Sequence, residues 1–328
     1  MDRSANSQVS PRFCILRTLQ TSLSTRGSAG ECFVFRHVLV AGLGTLGSEV
    51  VKNLGLLGCE SVFVADADMI EEKNVSRSLL LREATIGQSK ILHALEQLRT
   101  WFPQTQWSGT PLEIADVEPD RFMQAEVLFS CVDTDLARTE MAALAARYGI
   151  PVCDAGLGGI STRVGRVSWF PGDGAACFAC LLTSKRRATL LSIWESDMHA
   201  CWADEQEKRD GWTSTATMAS IVGGLQVEIA LSAAKGTKES FSIHLDVDQS
   251  PVCQTIQHSR SVECPFHDEV SGAQFPICTL AECGACNRQF SPNRRIAWVR
   301  RRGACPFCGS RNILIRDSMW NELTGSVL

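Results

Sequence analysis

The residues best suited to chemistry stand close together in the first third of the chain. Gly42, Gly44 and Gly47 are spaced GxGxxG in Gly42-Leu43-Gly44-Thr45-Leu46-Gly47. Glycines at this spacing let a backbone approach phosphate closely, and a helix that starts there favours the phosphate charge. Asp66 lies 19 residues beyond Gly47, near the spacing of a carboxylate that holds a ribose hydroxyl. Asp68, Asn74, Arg77 and Lys90 follow in quick succession. Two fixed cations and an amide beside a nucleotide pocket suit a polyphosphate better than a nicotinamide. Charge developing on a departing pyrophosphate needs such donors already in place. A solvated loop and helix is the alternative reading of the same charged run.

Cysteine supplies the second kind of chemistry. There are fifteen, many of them in Cys-x-x-Cys pairs, which points to metal in a reducing compartment rather than to disulfides. Cys283 and Cys286 form one pair, Cys305 and Cys308 another, with 18 residues between the pairs. That gap fits a four-cysteine zinc site. The stretch between them, Asn287 to Gly303, is basic and carries Arg288, Arg294, Arg295, Arg300, Arg301 and Arg302. A module this small would fold on its metal, a contribution on the order of 10 kcal/mol or more. A third pair, Cys177 and Cys180, needs two further ligands to close a tetrahedral shell.

Elements that must position these groups can be read from the pattern. Strands are expected at 37–41, 61–65, 106–112, 127–131, 151–154, 162–170 and 241–247, and helices near 46–57, 88–101, 136–148 and 216–234. Alternation of strand and helix as far as residue 154 implies an α/β fold, a Rossmann-like doubly wound sheet covered on both faces. Residues 182–215 are polar without a convincing period and read as a loop. Hydrophobic residues make up 45% of the chain and the formal net charge is −4. This composition gives a sizeable core and no overall attraction to nucleic acid or an anionic membrane. No apolar run has the length of a membrane span. Residues 1–35 show no signal-peptide core and read as an arm of a cytoplasmic protein.

Five motifs, in order, resemble the ThiF/MoeB/HesA family, adenylating enzymes related to ubiquitin-activating enzymes. They are VAGLGTLGSEV with Asp66-Ala67-Asp68, then Asn74-Val75-Ser76-Arg77 with Ile86-Gly87-Gln88-Ser89-Lys90, then LFSCVDTDLAR at Leu128–Arg138, Ala155–Leu181, and TMASIVGGLQVEIAL at Thr217–Leu231. The resemblance covers residues 36–270 and implies an adenylation domain with later antiparallel strands. Residues 182–215 would be its mobile crossover loop, and a zinc ribbon at 275–315 would be an addition. It implies that Gly42, Gly44 and Gly47 cradle phosphate and that Asp66 and Asp68 sit at the ribose end. Asn74, Arg77 and Lys90 would bind the triphosphate of ATP, and Asp133 would hold Mg2+. Asp133 could instead cap the helix after it, although Asp135 is better placed for that. The family's second cysteine pair is represented by Cys264 and His267, which would complete a zinc site with Cys177 and Cys180. Cys253 and Cys278 are alternative ligands. Two zinc ions per chain are thus expected.

The implied reaction is adenylation of the C-terminal glycine carboxylate of a ubiquitin-like or sulfur-carrier protein. A peptide or small-molecule carboxylate, a tRNA-modification dehydratase and a nucleotide-binding scaffold are the alternatives. A homodimer is implied, and the arginines of the ribbon would recruit the carrier or a downstream protein. Three positions depart from the family. Thr134 replaces the asparagine after the motif aspartate. Only Arg12 and Arg17 could serve as the arginine pair of the arm. Trp212, Thr213 and Ser214 stand where thioester-forming members carry cysteine, which leaves Cys201 as the nearest candidate thiol.

Overall fold

The computed structural model describes residues 34–112, 114, 117, 119–158, 163–172, 174–195, 215–250, 252–264, 266, 277–278, 280–292, 294–295, 299 and 303–316. The arm expected over residues 1–35, with Arg12 and Arg17, falls almost wholly outside this set, as do His267, Cys201 and Trp212 to Ser214.

An eight-stranded sheet forms the frame. Its first five strands are β1 (His37–Ala41), β2 (Ser61–Ala65), β3 (Gln106–Thr110), β4 (Val127–Ser130) and β5 (Val152–Leu157), all parallel in the order β3-β2-β1-β4-β5. β6 (Val164–Phe170), β7 (Ser240–Asp246) and β8 (Cys253–His258) continue the sheet antiparallel to their neighbours. Near-continuous Val, Leu and Phe in β1, β2 and β4 mark strands buried on both faces, and β1 and β4 are buried almost throughout.

Strand order reverses between β1 and β4. In open α/β sheets, ligands settle in the crevice beyond the carboxyl ends of the strands at such a switch point. Helix α1 (Thr45–Leu57) leaves that crevice directly after the glycine run. The remaining helices are α2 (Glu72–Val75), α3 (Lys90–Trp101), α4 (Pro119–Gln124), α5 (Asp135–Tyr148), α6 (Ser184–Glu195) and α7 (Ala216–Ala233). The last is apolar on most sides because it lies against α1, β5 and β6. It is the one described helix long and apolar enough to cross a membrane.

Sequence and structure differ at several elements, among them the short helices α2 and α4, which were not expected. β8 has no hydrophobic alternation and was not expected; the backbone ladder to β7 holds it while its side chains face solvent. The loop expected over 182–215 begins with the helix α6. This helix is fastened by polar contacts: Arg187 donates to Leu182 O at 2.7 Å, and Arg186 Nε lies 3.1 Å from Asp135 Oδ2. Finally, the cap of α5 is neither Asp133 nor Asp135. Thr134 Oγ1 accepts from the Ala137 amide at 3.2 Å, and Asp135 is already the first helical residue.

At the C-terminal end, short strands at Ala281–Cys283, Gln289–Phe290 and Ile313–Ile315 form a small antiparallel sheet. Cys278, Ala281 and Val299 make its minimal core, with Phe290, Ile313 and Ile315 packed against them. Apart from its cysteine cluster, an apolar core this small among the described residues is too little to sustain such a module alone.

Candidate nucleotide site and cysteine clusters

The glycine run turns at the switch point, and each glycine has its own geometric reason. Gly42 has φ +89°, and a Cβ there would lie 2.7 Å from the Cys131 carbonyl oxygen at the end of β4. A Cβ on Gly47 would fall 2.0 Å from the Gly42 carbonyl oxygen. These two glycines therefore let strand, turn and helix close on one another. Gly44 is different, because a Cβ there meets nothing within 4 Å. Its open side, at the N-terminus of α1, is the kind of surface onto which a phosphate can settle.

Asp66 stands at the end of β2 and is 7% exposed. One carboxylate oxygen accepts from the Leu43 amide inside the glycine turn; the other accepts from the Asp68 amide at 2.8 Å. Burial raises its pKa, opposed first by the Lys90 charge and then by these two amides. Lys90 opens α3, and its Nζ lies 2.7 Å from Asp68 Oδ2. Backbone bonds from Ile70 to Gln88 O, from Gly87 to Ile70 O and from Lys90 to Asp68 O tie the start of α3 to the segment after β2. Gly87, at φ +85°, makes the turn that permits this pairing. The motif Ile86–Lys90 is thus a device that places a nearly buried ammonium beside the nucleotide crevice.

Arg77 is brought in by its neighbour. Ser78 donates to Ser48 Oγ at 2.8 Å, and Ser48 in turn donates to Gly44 O at 2.8 Å. Arg77 Nε donates to Lys73 O at 2.9 Å, which fixes the plane of the guanidinium. Asn74 is buried, and its Oδ1 accepts from the Glu71 amide at 2.9 Å. That bond belongs to the cap of α2, so only the side-chain nitrogen of Asn74 could donate to a phosphate. Asp133 is exposed on the turn after β4, two residues beyond the Cys131 that packs on Gly42.

Sequence reasoning missed the support behind Asp133. Asp154 is 1% exposed and sits between Arg138 at 3.2 Å and Arg166 at 3.0 Å, with Ser130 Oγ donating to it at 2.6 Å. Arg138 also donates to Val132 O at 2.9 Å, one residue before Asp133. Fully buried Gln226 on α7 donates to Ser130 O at 3.1 Å and to Cys153 O at 2.8 Å. The ends of β4 and β5 are thereby locked together. A charged residue in the first turn of a helix and another on a central strand were the available signals, although neither identifies its partner.

The cysteine clusters fit tetrahedral metal. Zn–S bonds of about 2.3 Å give a sulfur tetrahedron with edges of about 3.8 Å. Cys283, Cys286, Cys305 and Cys308 form one group, with 3.6 Å between Cys283 and Cys308 and 3.7 Å between Cys286 and Cys305. Cys177, Cys180 and Cys264 form the other, at 3.8 Å and 3.7 Å from Cys177. Hydrogen bonding to Cys177 draws Cys180 down to about 2 and pushes Cys177 well up. One thiolate is thus already favoured in this set. Cys253 is exposed on β8 and Cys278 is in the core of the terminal module, so neither joins the three. The expected fourth ligand, His267, lies outside the described residues.

Comparison with known proteins bears on the family and the fold. The family model described as the ThiF family matches residues 31–266. SUMO-activating enzyme subunit 2 of Dictyostelium discoideum is 28% identical over 145 residues, which is 44% of this chain and 22% of that protein. The adenylyltransferase and sulfurtransferase uba4 of Aspergillus terreus is 29% identical over 120 residues, 36% of this chain and 25% of that protein. The chain thus spans about a quarter of the length of these relatives. Escherichia coli MccB, solved with ATP, shares the fold with a TM-score of 0.54 at 16% identity, over 77% of this chain and 68% of its own. With its mixed eight-stranded sheet and the five motifs in order, the chain belongs to the ThiF family.

Proposed function

We propose that this protein uses ATP to adenylate the C-terminal carboxylate of a ubiquitin-like or sulfur-carrier protein. What supports the reading is the switch point itself: Gly44 has an open side at the start of α1, buried Lys90 pairs with Asp68 just after β2, Arg77 precedes the Ser78 that bonds to Ser48 of α1, and Asp133 is exposed on the turn after β4. In this reading Gly42, Gly44 and Gly47 shape the phosphate seat, and Asp66, with Asp68 beside it, accepts from the ribose hydroxyls. Asn74, Arg77 and Lys90 hold the triphosphate. Asp133 would hold Mg2+, which screens the charge of the leaving pyrophosphate. Arg138 fixes the backbone that presents Asp133.

The chemistry needs little else from the protein. A carboxylate is ionised at neutral pH and attacks the α-phosphorus; the bond to the bridging oxygen breaks and pyrophosphate leaves. Catalysis is then positioning and electrostatic stabilisation. The adenylation domain extends over 36–270, with the crossover at 182–215 starting as the helix α6. Cys177, Cys180, Cys264 and His267 would hold one zinc, and Cys283, Cys286, Cys305 and Cys308 another in a module at 275–315. The working unit is a homodimer, as the arm has no apolar period of its own.

No positive field surrounds Cys201 in the sequence, where His199, Asp204 and Glu205 are its charged or titratable neighbours. The adenylate is therefore handed to an external nucleophile. The test incubates wild type and Cys201→Ala with Mg-ATP and the cognate carrier, then reads carrier mass and a non-reducing gel. A carrier gaining one AMP with both proteins, and no thiol-sensitive enzyme–carrier band with either, is the expected result. A band present only in wild type overturns the direct transfer. No adenylated carrier with either protein overturns the function.

A further inference from the structure

The four-cysteine module concentrates charge that the whole-chain average conceals. From Cys283 to Arg316 there are eight arginines and no lysine, aspartate or glutamate, in a chain whose formal net charge is −4. A zinc ion with four thiolates would leave this run at roughly +6. Arg316 pairs with Glu282 at 3.3 Å, whereas Arg288 and Arg311 are exposed.

One apolar ring stands among these charges. Phe307 is 52% exposed and plays no part in the module's core. It sits inside the second cysteine knuckle, which fixes it: the Phe307 amide donates to Cys305 Sγ at 3.4 Å, and Gly309 N donates to Cys305 O at 2.9 Å. The Arg288 guanidinium, just beyond the first knuckle, lies over the ring at 5.0 Å from its centroid. Arg311 leaves the second knuckle after the bond from Cys305 N to Ser310 O. A rigidly held, half-exposed aromatic ring with one guanidinium against it and a second exposed arginine four residues along the same knuckle is the combination that stacks a base while holding its phosphates.

We propose that this knuckle face binds single-stranded nucleic acid, with a base stacked on Phe307 and phosphates held by Arg288 and Arg311. The alternatives explain less. An acidic peptide would satisfy the arginines but gives Phe307 no role. A duplex offers phosphates while its base faces are already stacked. The proposal is independent of the adenylation chemistry, because none of its residues belongs to the nucleotide crevice.

Fluorescence anisotropy tests it with the full-length, zinc-loaded protein. The ligands are a labelled 15-nucleotide RNA of mixed sequence, the same sequence as DNA, the corresponding RNA duplex, and polyglutamate as competitor. Single strands should bind more tightly than the duplex, and affinity should fall with salt. Phe307→Ala should weaken single-strand binding roughly five- to hundredfold and leave the salt slope unchanged. Arg288→Ala and Arg311→Ala should each reduce that slope by about 0.7. Phe307 and both arginines are exposed, and unchanged zinc content and thermal unfolding verify that the variants fold. Discrimination between RNA and DNA would identify which strand the surface reads, within the proposal. The proposal is overturned by absent single-strand binding at low salt, by binding that ignores Phe307→Ala, or by polyglutamate displacing RNA at equal charge.

Discussion

Alanine at Gly44 and at Gly47 separates a glycine kept for a ligand from a glycine kept for the fold. A Cβ at Gly47 would lie 2.0 Å from the Gly42 carbonyl oxygen. The obstacle is backbone and cannot rotate away, so α1 must move by about 1 Å, and overpacking of this kind costs about 1–3 kcal/mol. Alanine's helix propensity returns about 1 kcal/mol. The net loss of about 1 kcal/mol lowers Tm by roughly 2–4 °C. Gly44 has an ordinary extended conformation, φ −70° and ψ −161°, and open space around it. Its alanine variant should therefore stay within about 1 kcal/mol of wild type as a helix cap. A methyl group there would hold phosphate away from the amides, beyond the roughly 3.2 Å limit of a sound hydrogen bond. Thermal unfolding with and without Mg-ATP reads both effects. At 100 times Kd, nucleotide should stabilise wild type by about 2.7 kcal/mol, and Gly44→Ala should lose most of that increment with its unliganded Tm intact. A Gly44→Ala protein stabilised by ATP like wild type would refute the phosphate seat. A wild-type Tm for Gly47→Ala would refute the loop geometry.

Other expectations follow from the same site and the clusters. Lys90→Ala should cost about 3 kcal/mol of transition-state stabilisation in kcat/KM, the scale of one lost preorganised donor. Its Tm should fall as well, because exposed Asp68 can rehydrate but buried Asp66 loses the charge that chiefly opposes its burial; an unchanged Tm would contradict this. Asp66 has a raised folded pKa from burial, so the native state holds its proton more tightly than the unfolded chain. Its contribution to stability should decline as pH rises through the window just above the ordinary carboxylate value of about 3.9. Denaturant titrations of wild type and Asp66→Asn should differ in slope there, and parallel curves would refute the assignment. Elemental analysis should find two zinc ions per chain. Cys283→Ser combined with Cys286→Ser should remove one and lose amide protection only near residues 275–315; one zinc in the intact protein would eliminate one of the sites.

What could be read in advance depended on whether function or packing set the residue types. The β1–α1–β2 unit was legible because one short run carries strand hydrophobicity, glycine spacing and a terminal acid together. The four-cysteine group was legible because zinc fixes spacing within each pair. β8 left no trace, since a strand held by backbone bonds with solvent on its side chains needs no alternating pattern. α6 was hidden because, among its described side chains, polar anchors at Arg186 and Arg187 accompany a single buried apolar residue, Leu190. Thr134 looked like a departure from a motif and proved to be a helix cap, a role that position alone assigned to Asp135. The Arg138–Asp154–Arg166 network joins a helix to two strands, so no local signal connects its members.

The central claim is that the crevice between β1 and β4 activates a carboxylate with ATP, and ATP–pyrophosphate exchange measures this most directly. Wild type should exchange label only with Mg2+ and the cognate carrier present. Asp133→Ala should abolish exchange while its unliganded Tm stays at the wild-type value, because Asp133 is exposed and does not cap α5. Exchange at the wild-type rate by Asp133→Ala, or exchange that does not require the carrier's carboxylate, would contradict the account.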